Sequence, residues 1–267
     1  MSRVRIREAI PADVPALADI LFGAFGPGVM NQLMHPGGVT EDAKVKFGAT
    51  LFSVPGDDSK HGVEVKIWAA ELRPEPGQIG DAKIVAFAKW YIYHTERSEE
   101  QWNVEVKPMT AEMLGDGSSA EAFNWFIGGL HKKAKPLIRG EANACKCDPA
   151  CYSWGQTLMA LIDLSILACL PEFQGLGAGS ALLRQGCELA DSLGLPSWLV
   201  ASPEGYPVYR KFGYQNVAVM DFDVTGTWGI TKTEAWNWGA THALDIAGPL
   251  PEGFSRSVLM RRPAKPT

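Results

Sequence analysis

The chain has 267 residues, which is enough for one large domain or two small ones with a sizeable buried core. Hydrophobic residues make up 46% of it and charged residues 21%, which is the composition of a soluble globular protein. Because the net charge is −5, there is no excess of basic residues for binding nucleic acid, and we expect no nucleic-acid partner.

The N-terminal stretch predicts a strand followed by two helices. "RVRIREAI" alternates between polar and apolar residues, as a strand does. "PADVPALADILFGAF" and "EDAKVKFGATLFSV" each have the spacing of a helix. The first 14 residues lack the apolar core of a signal peptide, and no later run is long enough to span a membrane. We therefore expect a cytoplasmic protein with no membrane partner, and we leave a nuclear fraction open.

The next two runs predict an antiparallel hairpin. "GVEVKIWAAEL" alternates with a period of two and ends at Leu72, and "AKIVAFAKWYIYH" is rich in aromatic and branched residues. The polar stretch "RPEPGQIGD" separates them and has the composition of a turn.

Residues 95–157 do not continue this succession of strands and helices, and they predict an insertion between the third and fourth strands. Their apolar residues are too few for a separate core, so we expect one domain over residues 1–267. Cys145, Cys147 and Cys151 lie here without a partner pair of ligands, which favours loop thiols over a zinc site, and we expect no metal.

The C-terminal part opens with the most apolar strand, "TLMALIDLSILAC", which predicts a central strand buried on both faces. A glycine-rich turn and the helix "AGSALLRQGCELADSLG" follow it. Then come a short strand at 195–202, a short helix at 203–213, a strand at 214–224, a loop region at 225–250 and a last strand at 254–262.

The turn "QGLGAGS" has the composition of a phosphate-binding turn. The first amides of a helix have no partner within it and carry the positive end of its dipole, and glycine lets an anion approach them. The Walker loop is excluded because no lysine follows. The dinucleotide fingerprint fits poorly, because the third glycine comes one position early and no acidic residue follows in "SWLV". The pattern Q/R-x-x-G-x-G/A fits Gln174, Gly177 and Gly179 without a gap.

That pattern, together with "GYPVYRKFGY" downstream, resembles the GCN5-related N-acetyltransferase superfamily. The close resemblance covers residues 158–217, and the segment 95–157 has no counterpart. It implies an α/β fold with a mixed, mostly antiparallel sheet that splays between the fourth and fifth strands and carries helices on both faces. It also implies transfer of an acetyl group from acetyl-CoA to an amine.

The resemblance assigns two groups of residues to the donor. Backbone amides of the turn are implied to bind the CoA pyrophosphate, and the open edge of the fourth strand is implied to pair with pantetheine. The Gln174 side chain either assists the turn amides or caps the turn. The cofactor-binding residues are then Leu167, Cys169, Leu170, Gln174, Gly175, Gly177, Gly179 and Ser180.

Two residues are candidates for proton transfer. Tyr209 lies where the resemblance implies a general acid for the leaving thiolate. Asp163 places a carboxylate in an apolar strand. Burying a charge costs free energy unless it is paired or takes part in catalysis. Asp163 is therefore either the base or a structural hydrogen-bonding group. Cys169 is better explained as a small buried hydrophobe than as a nucleophile.

The acceptor is the least determined part. The resemblance places its pocket near residues 22–38, 95–157 and 225–250. We expect the primary amine of a small molecule that attacks directly in a ternary complex. A protein-lysine or N-terminal acetyltransferase and a non-catalytic acyl-CoA sensor remain alternatives, and the oligomeric state stays open.

Overall fold

The computed structural model describes residues 3–53, 62–74, 80–95, 98–99, 107–139, 160–234 and 236–265. Seven strands form one sheet in the order β1-β2-β3-β4-β5-β7-β6. Their bounds are β1 Val4–Glu8, β2 Val63–Leu72, β3 Lys83–Tyr93, β4 Leu161–Cys169, β5 Ser197–Ala201, β6 Gln215–Asp223 and β7 Phe254–Arg262.

The pairing of these strands confirms the predicted fold. β2 and β3 form the expected antiparallel hairpin, and every neighbouring pair in the sheet is antiparallel except β4 with β5. That parallel pair is short, because it runs only from Ile162–Ser197 to Leu164–Leu199. The sheet therefore consists of an N-terminal half, β1–β4, and a C-terminal half, β5–β7, joined by three residue pairs.

Ten α-helices are described around the sheet. Their bounds are α1 Val14–Phe25, α2 Val29–Met34, α3 Glu41–Leu51, α4 Ala111–Leu114, α5 Ala120–Phe123, α6 Gly129–Arg139, α7 Ala178–Leu193, α8 Tyr206–Lys211, α9 Val224–Trp228 and α10 Leu244–Ala247.

One face of the sheet is covered by α7 and α8. Leu182, Leu183 and Ala190 of α7 are fully buried at helical spacing and pack on β3 and β4. Gly186 allows the closest approach, because a Cβ at this position would overlap the indole ring of Trp90. The helix therefore lies directly on the strands that lead to the glycine turn.

The opposite face is covered by two groups of helices. α1 and α3 pack on the N-terminal half through Leu17, Ile20 and Leu51. A π-helical turn at Asn124–Gly128 leads into α6, and this stretch packs on a second cluster that contains Trp198 and Phe222. The part of the predicted insertion that is described thus shares a core with the sheet. The single-domain assignment stays a prediction.

In the described part of the chain, no helix is long and apolar enough to cross a membrane. The three loop cysteines lie outside the described residues.

Candidate functional site

β4 and β5 separate beyond Leu164, and we name the gap between them the β4–β5 cleft. On its other side β4 stays paired with β3 as far as Cys169. The pairing skips Ser165, since Trp90 faces Leu164 while Lys89 faces Ile166. This extra residue is a β-bulge, which bends a strand and re-aims its edge. Residues 165–169 thus turn a free edge toward the cleft, with no described strand paired to it.

The bulge also changes the burial predicted for β4. Leu161, Ile162 and Leu164 are buried as expected of a central strand. Ser165 is exposed, and Ile166 and Leu167 are only half-buried. The expectation that β4 is buried on both faces is therefore wrong for its second half, because β5 leaves it there.

The glycine turn, residues 174–179, connects this free edge to α7. Gly175 and Gly177 have φ angles of 79° and 88°, a region that L side chains rarely adopt. A Cβ at Gly175, Gly177 or Gly179 would meet no atom within 4 Å, so the space in front of the turn is open. Non-glycine residues would strain the backbone at the first two positions and fill that space at all three.

The amide groups of this turn are available to a ligand. The first helical bond of α7 runs from Ala181 N to Gly177 O over 2.9 Å. The three amides before Ala181 have no acceptor among the residues described, and α7 has no side-chain cap. With 16 helical residues behind them, these amides carry the positive end of the dipole of α7, which favours an anion at this position.

Gln174 has a local role in the structure. Its Nε2 atom donates to Cys169 O over 3.3 Å. The side chain therefore ties the end of β4 to the start of the turn, which corresponds to the turn-capping alternative.

Tyr209 lies on α8 where this helix packs in the cluster of α7. Its side chain is 8% exposed and lies across Gly205, where a Cβ would be 2.7 Å from the Tyr209 ring atom Cε2. No hydrogen bond of its hydroxyl occurs within the described ranges. Burial raises the pKa of the Tyr209 phenol, so it stays protonated near neutral pH.

Tyr206, one turn earlier, is engaged elsewhere. Its ring stacks on His242 at 4.4 Å between centroids, and its hydroxyl accepts a hydrogen bond from Ala243 N over 3.3 Å. These contacts hold the segment before β7 against α8. Of these two tyrosines, Tyr209 is the one whose hydroxyl has no hydrogen bond among the described residues.

Asp163 lies in the part of β4 that is still paired with β5, opposite Trp198. Its neighbours Ile162 and Leu164 pack in the cluster that contains Tyr209. Strand alternation therefore places Asp163 on the other face, where Leu161 packs. The structure brings together the residues of β4 and of the turn that the resemblance assigns to the donor, but it does not put Asp163 and Tyr209 on one face.

Cys169 is not an activated thiol. Burial, reinforced by Glu172, raises the pKa of its thiol, and its Sγ atom is 3.6 Å from Leu170 O. A thiol held protonated is a poor nucleophile. This supports the interpretation of Cys169 as part of the wall of the cleft.

The resemblance places part of the acceptor pocket near residues 22–38 without naming a residue there, and the structure has a cavity in this part of the chain. Asn31 on α2 and His35, the residue after this helix, line the cavity, and His35 contacts Ser118 from the segment between β3 and β4. No motif marks them, because the contact joins residues 83 positions apart.

No protein-family model and no curated protein matches the chain. The chain is similar to solved structures of acetyltransferases at low sequence identity. An acetyltransferase of Corynebacterium glutamicum described as histone acetyltransferase HPA2 and related is 16% identical with a TM-score of 0.46, over 100% of this chain and 99% of that one. The mosquito arylalkylamine N-acetyltransferase like 5b is 14% identical with a TM-score of 0.49, over 97% and 99%.

A third similar structure is a phosphinothricin acetyltransferase from Sinorhizobium meliloti in complex with AcCoA. It is 15% identical with a TM-score of 0.44, over 99% of this chain and 94% of that one. Likenesses this remote assign neither a family nor an activity to the chain.

Proposed function

We propose that the protein is an acetyl-CoA-dependent N-acetyltransferase that acts on the primary amine of a small molecule. One observation carries the proposal. The free edge of β4 runs directly into a glycine turn. The amides from Gly175 to Ser180 have no acceptor among the described residues, and the space outside the turn is open. A ligand that fits both parts has an amide-bearing arm and a pyrophosphate, and CoA has this combination.

The residues at the site fit the donor in two places. The turn amides, from Gly175 to Ser180, bind and orient the pyrophosphate. The backbone of β4 near Leu167, Cys169 and Leu170 offers strand-type hydrogen bonds to the pantetheine amides. The side chains of these three residues form the wall and exclude water. Gln174 acts through the turn, because its amide is bonded to Cys169 O.

Acetyl-CoA supplies a thioester whose acetyl group an amine can accept. The leaving sulfur needs a proton, and Tyr209 supplies one from its phenol oxygen. The raised pKa of Tyr209 keeps that proton in place until it is needed. Because the hydroxyl has no described partner, no hydrogen bond must break before it acts.

Asp163 is the proposed proton acceptor for the amine, and its position defines a test. Being on the face opposite Tyr209, it serves the reaction only if the acceptor enters from that face through the β4–β5 cleft. We expect Asp163→Asn to lower kcat about tenfold or more while leaving CoA affinity unchanged. The measurement is steady-state kinetics beside a thermal melt. An unchanged kcat in a folded variant assigns Asp163 a structural role.

The first experiment is thermal melting with CoA, acetyl-CoA, NADH and ATP, each in excess. A ligand that binds only the native state raises Tm by mass action. At a hundredfold excess over Kd, it adds ~2.7 kcal/mol to the free energy of unfolding. We expect a shift with the two CoA species alone. A shift only with NADH or ATP, or none at all, refutes the proposed donor.

A thiol-release assay with a panel of amines then separates enzyme from sensor. We expect acetyl-CoA to be consumed in proportion to the amine. Binding of CoA without turnover against any small amine or lysine peptide would make the protein a sensor instead.

A further inference from the structure

Lys89 is a buried lysine near the middle of the sheet. It lies on β3 and is only 5% exposed. Its neighbours across the sheet are Ile67 of β2 and Ile166 of β4, both in the cluster that packs against α1 and α3. Lysine is almost never buried this fully unless its charge is paired. The amine of Lys89 is therefore enclosed by apolar side chains.

The amine of Lys89 has few polar contacts. Its Nζ atom donates to Ser53 O over 3.2 Å and lies 5.0 Å from the centre of the Tyr91 ring. An ammonium group has three hydrogens to donate, and no carboxylate of the described residues pairs with this one. Lys66 on the neighbouring strand differs, because two carboxylates pair with it. Lys89 thus lacks a counter-ion in the described part of the chain.

These surroundings favour the uncharged amine. Burial lowers the pKa of Lys89 from the ordinary value of 10.5 to about 8. At pH 7 about a tenth of an amine with that pKa is neutral, against roughly one in three thousand for an ordinary lysine. Only the neutral form has the lone pair that attacks an acyl carbon. More of Lys89 than of an exposed lysine is therefore ready to react.

Lys89 also lies next to the free half of β4. Its partner Ile166 belongs to residues 165–169, whose other edge faces the β4–β5 cleft. Neighbouring strands are ~4.8 Å apart, and the flexible four-carbon stem of a lysine spans such a distance. A single hydrogen bond, to Ser53 O, has to break for the amine to turn toward this edge. The arm of the proposed donor would then lie one strand away from a nucleophilic amine.

We propose that Lys89 Nζ is a second acceptor of the acyl group, so that the protein acylates itself at this residue. The lone pair of Nζ forms an amide bond to the thioester carbon, and the carbon–sulfur bond breaks. Nζ gives up a proton to water and the leaving thiolate takes one from water, so the products are acyl-lysine and a free thiol. The amide carries no charge, which suits the apolar surroundings. The choice of donor rests on the proposed function.

Peptide mass spectrometry on the full chain tests this proposal. The probes are acetyl-CoA and S-acetyl-N-acetylcysteamine, a thioester that lacks the pyrophosphate and the nucleotide. At neutral pH we expect acetyl-CoA to acetylate Lys89 at least tenfold faster than Lys66 or Lys265, although the side chain of Lys265 is 67% exposed. Equal rates at the three lysines, or no acetylation of Lys89 by either thioester, overturns the proposal.

Two variants localise the modification. Lys89→Arg keeps the positive charge and removes the nucleophile, so its intact mass should show one acetyl group fewer per chain. Lys66→Arg is the matched control on the neighbouring strand and should leave the number of acetyl groups unchanged. If Lys89→Arg does not fold, Lys89→Met, which is unbranched and uncharged, takes its place. An unchanged number of acetyl groups in a folded Lys89 variant contradicts the site.

The thioester without a nucleotide keeps the two proposals separate. If CoA fails to raise Tm while S-acetyl-N-acetylcysteamine still acetylates Lys89 ahead of Lys66 and Lys265, the donor assignment is wrong and the reactive lysine stands. If CoA raises Tm and neither thioester acetylates Lys89, the donor assignment stands and self-acylation is wrong.

Discussion

At the scale of single residues, Tyr209 and Tyr214 are similar in burial but differ in the hydrogen bonding of their hydroxyl groups. Both are buried phenols whose rings contact each other edge to face, with 6.0 Å between centroids. The Tyr214 hydroxyl is hydrogen-bonded to Ser197 inside the core, whereas that of Tyr209 has no partner in the described part of the chain. One hydroxyl therefore serves stability and the other is free for chemistry.

This contrast predicts opposite effects of the same substitution. Tyr209→Phe should lower kcat about a hundredfold with little change in Tm or in CoA affinity, because only a proton donor is lost. Tyr214→Phe should cost ~1 kcal/mol of stability and leave kcat nearly unchanged, because a buried hydrogen bond is lost. Denaturant unfolding and steady-state kinetics on both variants measure the two effects. The same loss of kcat in both variants would remove Tyr209 from its role.

A second pair of residues tests the glycine turn. Gly177 and Gly213 have φ angles of 88° and 85°, and a Cβ would meet nothing within 4 Å at either position. Alanine should therefore strain both backbones equally, by ~1 kcal/mol. Only Gly177→Ala should also weaken CoA binding, by tenfold or more, because its methyl group would enter the space proposed for the pyrophosphate. Calorimetric titration with CoA measures the affinity of both variants. Equal CoA affinities in Gly177→Ala and Gly213→Ala would show that the phosphate does not bind at the glycine turn.

The residues that sequence alone identified are those whose role is local. The glycines of the turn, the strand before it and the helix after it are adjacent in sequence, so spacing was enough to identify them. The contact between His35 and Ser118 could not be found this way, because it joins residues 83 positions apart. The face of Asp163 depends on which side of β4 each helix covers, which spacing does not show.

At the scale of elements, α7 is attached at its C-terminal end as well as at the glycine turn. Arg262 at the end of β7 makes a bidentate ion pair with Asp191, over 2.7 and 2.8 Å. Lys265 also reaches this carboxylate, over 2.7 Å. Arg262 and Lys265 lower the pKa of Asp191, so the folded state favours the ionised form.

The ion pair predicts how stability depends on pH. Because the pKa of Asp191 is lower in the folded state, its contribution is complete above the ordinary value of 3.8 and is lost as the pH falls through the folded value. Asp191→Asn should then cost ~1–3 kcal/mol at pH 7, and the difference from wild type should shrink below about pH 4. Denaturant unfolding across this range measures it. Asp19→Asn, which removes an exposed partner of Lys44, is the control and should change stability by less than ~0.5 kcal/mol.

Element boundaries followed from the sequence more readily than element pairing. Alternation and helical spacing marked each of the described strands and the helices α1, α3 and α7. The departure of β5 from β4 after three residue pairs was implied only by the resemblance, and the bulge at Ser165 was not expected. Both depend on how the two halves of the sheet pack, which is set by contacts across the whole chain.

At the scale of the whole molecule, the two halves of the sheet meet through the short β4–β5 pairing. A ligand that lies along the free edge of β4 would bridge them. We expect CoA to slow hydrogen exchange at the amides of residues 165–170 and 175–180, while those of β2 and β3 stay unchanged. Mass spectrometry of exchanged peptides measures this, and protection confined to α2 or absent at the turn would contradict the donor site.

The free edge of β4 has a consequence for the behaviour of the protein in solution. An unpaired strand edge normally invites other chains to add strands, and outer strands are where this usually happens. Here the exposed edge lies in the middle of the sheet, recessed between two halves and flanked by helices. We therefore expect a slender extended molecule to reach this edge more easily than the strand of another protein, which carries side chains on both faces. Such a cleft would keep an edge open for recognition while offering it less readily to aggregation.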